Sequence, residues 1–182
     1  MLDQFSHRLA TRADEPAIIE LMRAAIAENM KAFLSAAEIT AAQESMGLDR
    51  TLIDDGTYFL IEANTPDCKT LVGCGGWGKR RTLYGGDHTK GRDDSFSNPA
   101  TDAARIRAMY THPRWTRRGI GTLLLDLGEA AAKSAGYKTI ELGSTVPGEP
   151  LYRARGYVEF ERDIERTENG AVNTIIRMRK SL

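Results

Sequence analysis

The spacing of apolar residues in the first part of the chain predicts a short strand followed by two helices. One group of apolar residues recurs at steps of three and four, as on a single helix face: Ile18, Leu21, Met22, Ala25 and Ile26. Asp14 and Pro16 precede this group and suit the start of a helix. Ser35 and Glu38 have the spacing of a capping box, so a second helix is expected to begin there and end near Gly47.

Segments rich in β-branched and aromatic residues predict the remaining strands. Four of them cover residues 57–63, 70–79, 103–111 and 138–145. The tail is expected to form a hairpin that turns at Asn169-Gly170.

Two further helices are predicted in the second half. The first follows Gly119, ends at Gly136 and is expected to bury one apolar face: Ile120, Leu123, Leu124, Leu127 and Ala131. The second is short and ends at Gly156. The resulting order, βααββ–loop–βαβαββ, contains no repeat and no linker, and it predicts one α+β domain with a mixed sheet over residues 1–182.

Residues 80–102 form a long polar stretch without a clear period. A loop of that length inside a compact domain tends to be functional or mobile. Its segment GGDHTKGRDD carries charges of both signs, so we expect a lid or one wall of a pocket for a polar substrate. A solvated insertion, or a segment ordered only at a dimer contact, is the alternative.

Composition narrows the class of protein. With 182 residues, 41% hydrophobic, 27% charged and a formal net charge of zero, the chain has no overall field that favours nucleic acid or an acidic membrane. No apolar run reaches the roughly 20 residues that span a bilayer, and the N-terminus lacks the apolar core of a signal peptide. Cys68 and Cys74 are too few for a zinc site or a disulfide framework. We therefore expect a cytoplasmic protein without a metal.

The segment Arg117-Arg118-Gly119-Ile120-Gly121 lies where a strand ends and a helix begins. The first N–H groups of a helix lack intrahelical partners, and glycines let an anion approach them closely. Residues 103–125 contain five arginines and no acidic residue, which indicates a local anion site. Leu124 replaces the third glycine of a dinucleotide fingerprint, and no Walker lysine follows. A glycine-relaxed turn beside solvated arginines is the other interpretation.

The stretch MYTHPRWTRRGIGTLLLDLGEAAAKSAGYKTIELGST, followed by LYRARGY, resembles the GNAT superfamily of acyl-CoA N-acyltransferases. The resemblance is specific over residues 105–160, and it rests on Pro113, Gly119 and Gly121 together with Leu151-Tyr152 and Gly156-Tyr157. Thr116 departs from the pattern, which usually has Gln or Arg there. The resemblance implies an αβα-layered fold: a mixed, largely antiparallel sheet of about seven strands, helices on both faces, and a splayed central strand pair.

The same resemblance assigns expected roles to residues. Main-chain amides of six consecutive residues would cradle the pyrophosphate of acetyl-CoA: Arg117, Arg118, Gly119, Ile120, Gly121 and Thr122. The pantetheine arm would lie along Met109, Tyr110 and Thr111. The Tyr152 phenol would serve the departing thiolate as an acid, and an amide of Met109 or Tyr110 would polarise the thioester carbonyl. Arg155 would either reach the adenosine end or be solvated.

The resemblance thus implies an N-acetyltransferase that uses acetyl-CoA and no metal, with a small-molecule or peptide amine as acceptor and with neither nucleic acid nor membrane as partner. Another acyl group, an alcohol acceptor, a homodimer, and a non-catalytic CoA-binding module remain open. A histone-type enzyme ranks low because the chain has no acidic run. The general base is not assigned among six candidates: Glu28, Asp87, His88, Asp93, Asp94 and Glu141.

Overall fold

The computed structural model describes residues 5–64, 69–166 and 172–182. Its strands are β1 (Phe5–Leu9), β2 (Tyr58–Asn64), β3 (Lys69–Gly78), β4 (Ala104–Thr111), β5 (Thr139–Ser144), β6 (Val158–Arg166) and β7 (Val172–Ser181). Its helices are α1 (Glu15–Asn29), α2 (Ala36–Ser45), α3 (Arg50–Asp54), α4 (Ile120–Ser134) and α5 (Glu149–Ala154). Short 3₁₀ turns at Arg12–Asp14 and Pro113–Trp115 precede α1 and α4. The predicted Asn169-Gly170 turn and Cys68 lie outside the described residues.

The strands form one mixed sheet in the order β1-β2-β3-β4-β5-β7-β6. The β4–β5 pair is parallel and the other neighbours are antiparallel. The parallel pair is in register only at Ala104↔Ile140 and Arg105↔Glu141, beyond which no further β4–β5 pairing is found in the described strands. The expected fold class, including the splayed central strands, is therefore confirmed.

Helices cover both faces of the sheet because each presents an apolar stripe. On one face, α1 buries the five residues predicted for it. The Ser35–Glu38 capping box begins α2, as expected, since Glu38 also accepts from the Ser35 amide at 2.8 Å. Asp14 does not cap α1 through its side chain, and instead its carboxylate accepts from the Thr11 amide at 2.8 Å in the preceding 3₁₀ turn.

On the other face, α4 packs against β3 and β4. Its most buried positions are Ile120, Leu124, Leu125, Gly128 and Ala132. The buried face of α4 is therefore rotated about the helix axis relative to the predicted one. Leu123, Leu127 and Ala131 lie at the margin of the buried face and are only partly buried. The reason is Gly128: without a Cβ, it lets the helix approach Trp77 and Ile106 of the sheet.

Two features of the fold were not predicted. One is α3, which has only five residues and begins where Asp49 accepts from the Thr51 amide at 3.0 Å. The other is a bulge in β4, where Ala108 and Met109 together stand opposite Gly75 of β3. Ala108 has φ +50°, in the left-handed region. Gly75 makes room for the bulge, because a Cβ there would lie 2.5 Å from Sδ of Met109.

Candidate active site

The divergence of β4 from β5 opens a cavity of about 90 Å³ through the middle of the sheet. Both strands contribute to its wall, with Ile106, Arg107, Ala108, Met109 and Tyr110 from β4 and Leu142 and Gly143 from β5. Its other lining residues come from the neighbouring segments: Met46, Gly47, Leu83, Tyr84, Gly85, Thr145, Tyr152 and Ile175. The cavity is thus bordered by elements from both faces of the sheet.

Tyr152 of α5 is buried at the wall of this cavity, with 8% of its surface exposed. Its ring packs edge-on against Tyr157, at 5.9 Å between centroids. Among the residues that the structure describes, none forms a hydrogen bond with its hydroxyl group, and burial raises the pKa of Tyr152 to about 12. The phenol is therefore neutral at physiological pH and has a proton to donate.

The turn before α4 has the backbone geometry of an anion site. Arg117 has φ +61° and Gly119, the residue before the helix, has φ +86°. Left-handed residues beside a helix start direct successive N–H groups to one side. Among the described residues, no group accepts a hydrogen bond from the amides of residues 117–122, and the first such bond is Leu123 N–H to the Gly119 carbonyl, 2.9 Å. The residues present therefore fit a phosphate group.

The side chains around the turn are exposed and positive. Arg117 and Arg118 are both exposed, and the Arg118 guanidinium stacks over Trp115 at 4.7 Å from the ring centroid. Thr116, which departs from the family pattern, donates its hydroxyl to the Pro113 carbonyl at 3.2 Å. The turn is close to α5, because a Cβ on Gly121 would lie 2.8 Å from Cδ2 of Leu151. The predicted phosphate site and Tyr152 thus belong to adjoining elements.

The strand predicted for the pantetheine arm is only partly at the cavity. Met109 and Tyr110 line it together with Tyr152, whereas Thr111 pairs with Gly73 at the end of β4. The Thr111 carbonyl accepts a hydrogen bond from Nδ2 of Asn29 at 2.8 Å. Arg155 is neither at the cavity wall nor fully solvated, since it forms an ion pair with Asp126 of α4.

Most of the carboxylates considered as a base have partners within the chain. Asp87 pairs with Arg50 at 2.7 Å, and Asp94 pairs with Arg92 at 2.9 Å. Glu28 pairs with Lys31 at the surface, 2.7 Å apart.

The other three candidates differ in position. Glu141 lies between Arg105, at 2.8 Å, and Arg179. Asp93 accepts the Ser95 hydroxyl at 2.5 Å, and this bond lowers its pKa. The exposed His88 packs against Gly47 of the cavity wall, since a Cβ on Gly47 would lie 3.0 Å from its Cε1.

A buried ionic cluster of Asp49, Arg92 and Arg107 was not predicted. The Asp49 carboxylate, 1% exposed, accepts from Arg107 at 2.6 Å and from Arg92 at 3.0 Å. Arg107 also donates to the carbonyls of Thr82, at 3.0 Å, and Gly85, at 2.8 Å. Burial lowers the pKa of Arg107 and the Asp49 carboxylate opposes this effect. The cluster fixes the part of the 80–102 loop that lines the cavity.

That loop is a wall of the cavity, although not through its charges. Its contributions are Leu83, Tyr84 and Gly85, while Asp87, Arg92 and Asp94 are engaged in ion pairs. The expectation that the charges of this loop face a polar substrate therefore has no support in the geometry. In the sequence, only the length of this loop indicated that it lines a pocket. Its attachment through Asp49 could not be predicted, since the partners of Asp49 lie 43 and 58 residues away.

A second, larger cleft of about 350 Å³ lies between α1 and α2. Its lining is mostly apolar: Ile19, Met22, Arg23, Ile26, Gln43, Met46, Gly47 and Leu48. Met46 and Gly47 border both this cleft and the cavity at Tyr152. The two spaces therefore adjoin.

Neither a metal centre nor a membrane span is found in residues 5–64, 69–166 and 172–182. No group of three His, Cys, Asp or Glu side chains there is placed to hold a metal ion. None of the helices in these ranges combines the length and apolar character needed to cross a bilayer.

Residues 20–157 match the model of the Acetyltransferase (GNAT) family. A comparison with curated proteins gives no match. Among solved structures, the chain is similar to a GCN5-related N-acetyltransferase from Rhodopseudomonas palustris, also described as a class-II aminotransferase. The identity is 20%, the TM-score is 0.65, and 97% of this chain and 95% of that chain are covered.

Two other similar structures contain a form of coenzyme A. One is the PaiA N-acetyltransferase from Thermoplasma acidophilum in complex with coenzyme A, at 16% identity, TM-score 0.60 and coverage of 98% and 99%. The other is yncA from Salmonella typhimurium with its cofactor acetyl-CoA, at 17% identity, TM-score 0.62 and coverage of 98% and 94%. At these identities the likeness concerns the fold.

Proposed function

Because the chain belongs to the GNAT acetyltransferase family, we propose that it transfers an acetyl group from acetyl-CoA to a primary amine of a small molecule or peptide. Residues 1–182 would act as a single catalytic domain in the cytoplasm. The observation that carries this proposal is the Tyr152 hydroxyl, which is buried at the cavity between β4 and β5 and has no partner among the described residues.

The turn before α4 supports binding of the diphosphate. The amides of Arg117, Arg118, Gly119, Ile120, Gly121 and Thr122 have no acceptor in the described chain. Each hydrogen bond from such an amide to a charged oxygen is worth roughly 1.5–3 kcal/mol. The β4 edge at Met109, Tyr110 and Thr111 would hold the pantetheine arm, so the thioester would reach the cavity at Tyr152.

Acetyl-CoA supplies the activated acetyl group. In the transfer, the amine nitrogen bonds to the acetyl carbon, the carbon–sulfur bond breaks, and the sulfur leaves with the electron pair. Tyr152 would donate a hydrogen bond to that sulfur. With the pKa of Tyr152 near 12 and that of a thiol near 8.5, complete proton transfer in the free site would cost roughly 5 kcal/mol. Hydrogen bonding during departure is therefore the favoured role.

The cleft between α1 and α2 supports an acceptor with an apolar body. It adjoins the cavity at Met46 and Gly47, and most of its lining is aliphatic or thioether side chain. An amine with a pKa near 10.4 is protonated at pH 7, and releasing its free base costs roughly 4–5 kcal/mol. The proton would leave through water, because four of the candidate carboxylates are held in ion pairs.

A binding measurement and a matched pair of variants test this function. Saturating acetyl-CoA, at about 100 times its Kd, should stabilise the fold by about 2.7 kcal/mol and raise Tm by roughly 5–10 °C. Thiol release should then depend on an amine, with apolar primary amines preferred over polyamines and aminoglycosides. Tyr152→Phe should lower kcat by roughly 100-fold while KM for acetyl-CoA changes little.

Tyr157→Phe is the control, because Tyr157 is a buried neighbour whose hydroxyl donates to Glu129 at 3.0 Å and does not line the cavity. Its kcat should stay within about threefold of the wild type. Acetyl-CoA binding without thiol release for any amine would support a non-catalytic CoA-binding module instead. Faster turnover with a longer acyl-CoA would be consistent with the same fold and site, but it would show that the acyl group transferred is not acetyl.

A further inference from the structure

The bulge in β4 contains a strained residue at the cavity. Ala108 lines the cavity and has φ +50°, a left-handed conformation that is strained for a residue with a Cβ. Ala108 and Met109 face Gly75 alone, so the regular ladder between β3 and β4 is interrupted there. Another contact must therefore define the direction of this peptide.

The Tyr58 hydroxyl of β2 makes that contact. It donates to the Ala108 carbonyl oxygen at 2.9 Å, and the Tyr58 side chain is 1% exposed. The neighbouring Cys74 of β3 is also fully buried, and burial raises the pKa of its thiol to about 12, so it adds no charge beside the phenol. The carbonyl is thus held by a hydrogen bond from a fully buried side chain.

The planar peptide group between Ala108 and Met109 couples the orientation of the Ala108 carbonyl to that of the Met109 amide. The described residues contain no cis peptide bond, and a trans peptide is planar. The Ala108 carbonyl and the Met109 N–H therefore point in opposite directions. Anchoring the carbonyl on Tyr58 directs the Met109 amide away from Tyr58, and Met109 shares the cavity wall with Tyr152.

We propose that Tyr58 is a positioning residue for acetyl transfer: by holding the Ala108 carbonyl, it aims the Met109 amide at the thioester carbonyl oxygen. This inference rests on the proposed function. Tyr58 does not line the cavity, so it would act through this one peptide group rather than by contact with acetyl-CoA or the acceptor. Negative charge grows on the thioester oxygen as the amine adds, and a donor aimed in advance stabilises that charge. A misdirected donor therefore lowers the rate more than the affinity.

Tyr58→Phe tests the inference, because it removes only the hydroxyl from a buried ring. We expect kcat to fall roughly 10- to 100-fold, while the Kd for coenzyme A, held at the turn before α4, stays within about threefold. Tyr137→Phe is the matched control. Tyr137 is also buried, its hydroxyl lies 2.8 Å from Oγ of Ser97, and it does not line the cavity. It should lose comparable stability and keep its kcat.

Equal kcat values for Tyr58→Phe and Tyr137→Phe, with an active wild type, would overturn the inference alone. A wild type that acetylates no amine would overturn the proposed function and this inference with it. Should Tyr58→Phe not fold, the hydroxyl is removed in an Ala108→Gly background, where φ +50° has no steric cost. The double variant should then show the same fall in kcat relative to Ala108→Gly, and an unchanged kcat would reject the role of Tyr58.

Discussion

Single residues in left-handed conformations shape both ends of the candidate site. Gly119 precedes α4 with φ +86°, and Ala108 bends β4 with φ +50°. The first was predictable, because a glycine between a strand and an amphipathic helix indicates such a turn. The second was not, since alanine carries no preference for positive φ and the Ala108 carbonyl is bonded to Tyr58, 50 residues earlier in the chain.

Gly119→Ala should weaken acetyl-CoA binding without a steric clash. No atom lies within 4 Å of the Cβ that the change would add, so the cost is backbone strain of roughly 1–2 kcal/mol. Relief of that strain would rotate the amides at the start of α4, and KM for acetyl-CoA should rise about tenfold. Initial rates and urea unfolding measure the two effects.

Gly56→Ala provides the comparison for this variant. Gly56 has φ +66°, also has no atom within 4 Å of an added Cβ, and lies in the turn between α3 and β2. It should lose a similar free energy of unfolding with an unaltered KM. If both variants shifted KM equally, the amides before α4 would not be the phosphate site.

At the level of elements, the local sequence pattern predicted the strands and most of the helices. It could not predict contacts between segments that are distant in the chain. The capping box of α2 and the apolar stripe of α1 are encoded within a few residues and were predicted correctly. The five-residue α3 is too short to show a period. The 80–102 loop has no periodic sequence pattern. It is held in place by Arg107 of β4, which donates hydrogen bonds to two of its carbonyl groups.

Arg107→Met should loosen the loop wall of the cavity. The change removes the donors to Thr82 and Gly85 and leaves Arg92 as the charged partner of Asp49. Breaking a buried pair on one side typically costs about 3 kcal/mol or more. We expect KM for the acceptor amine to rise roughly tenfold while KM for acetyl-CoA changes little, as steady-state kinetics with each substrate varied would show.

Arg80→Met removes a comparable anchor from the start of the same loop. Arg80 pairs with Asp55 at 2.7 Å and does not line the cavity. This variant should be destabilised but retain the acceptor KM. An acceptor KM that Arg107→Met leaves untouched would mean that Leu83, Tyr84 and Gly85 do not contact the acceptor.

In the molecule as a whole, buried tyrosines should make the free energy of unfolding depend on pH in the alkaline range. Burial raises the pKa of Tyr58, Tyr110, Tyr152 and Tyr157 above the usual value near 10. Above pH 10 the unfolded chain releases these protons while the folded chain retains them, so the free energy of unfolding falls as pH rises. The slope should approach about 1.4 kcal/mol per pH unit for each tyrosine.

Urea unfolding at pH 8, 9.5 and 11 measures this dependence. Stability should be nearly constant from pH 8 to 9.5 and drop by several kcal/mol by pH 11. Tyr157→Phe should reduce the slope by about one proton, since Tyr157 no longer contributes. An unfolding free energy that is level up to pH 11 would show that these phenols ionise in the folded protein as readily as in the unfolded chain.

The mixed sheet of about seven strands and the divergence of its central pair were expected from the resemblance rather than from local propensity. The position of Tyr152 beside that divergence was likewise implied by the motif around Leu151-Tyr152. The side chains that line the α1–α2 cleft could not be identified from the sequence, because they depend on how the helices pack on the sheet.

The two register pairs between β4 and β5 leave a strand edge facing the interior of the protein. Sheet edges at a molecular rim recruit other strands and promote aggregation. Here the unpaired main-chain N–H and C=O groups of β4 lie between two strands, so only a narrow, extended ligand can reach them. Deuterium should accordingly enter β4 amides beyond Arg105 sooner than those of β2, and coenzyme A should slow that uptake by completing the ladder.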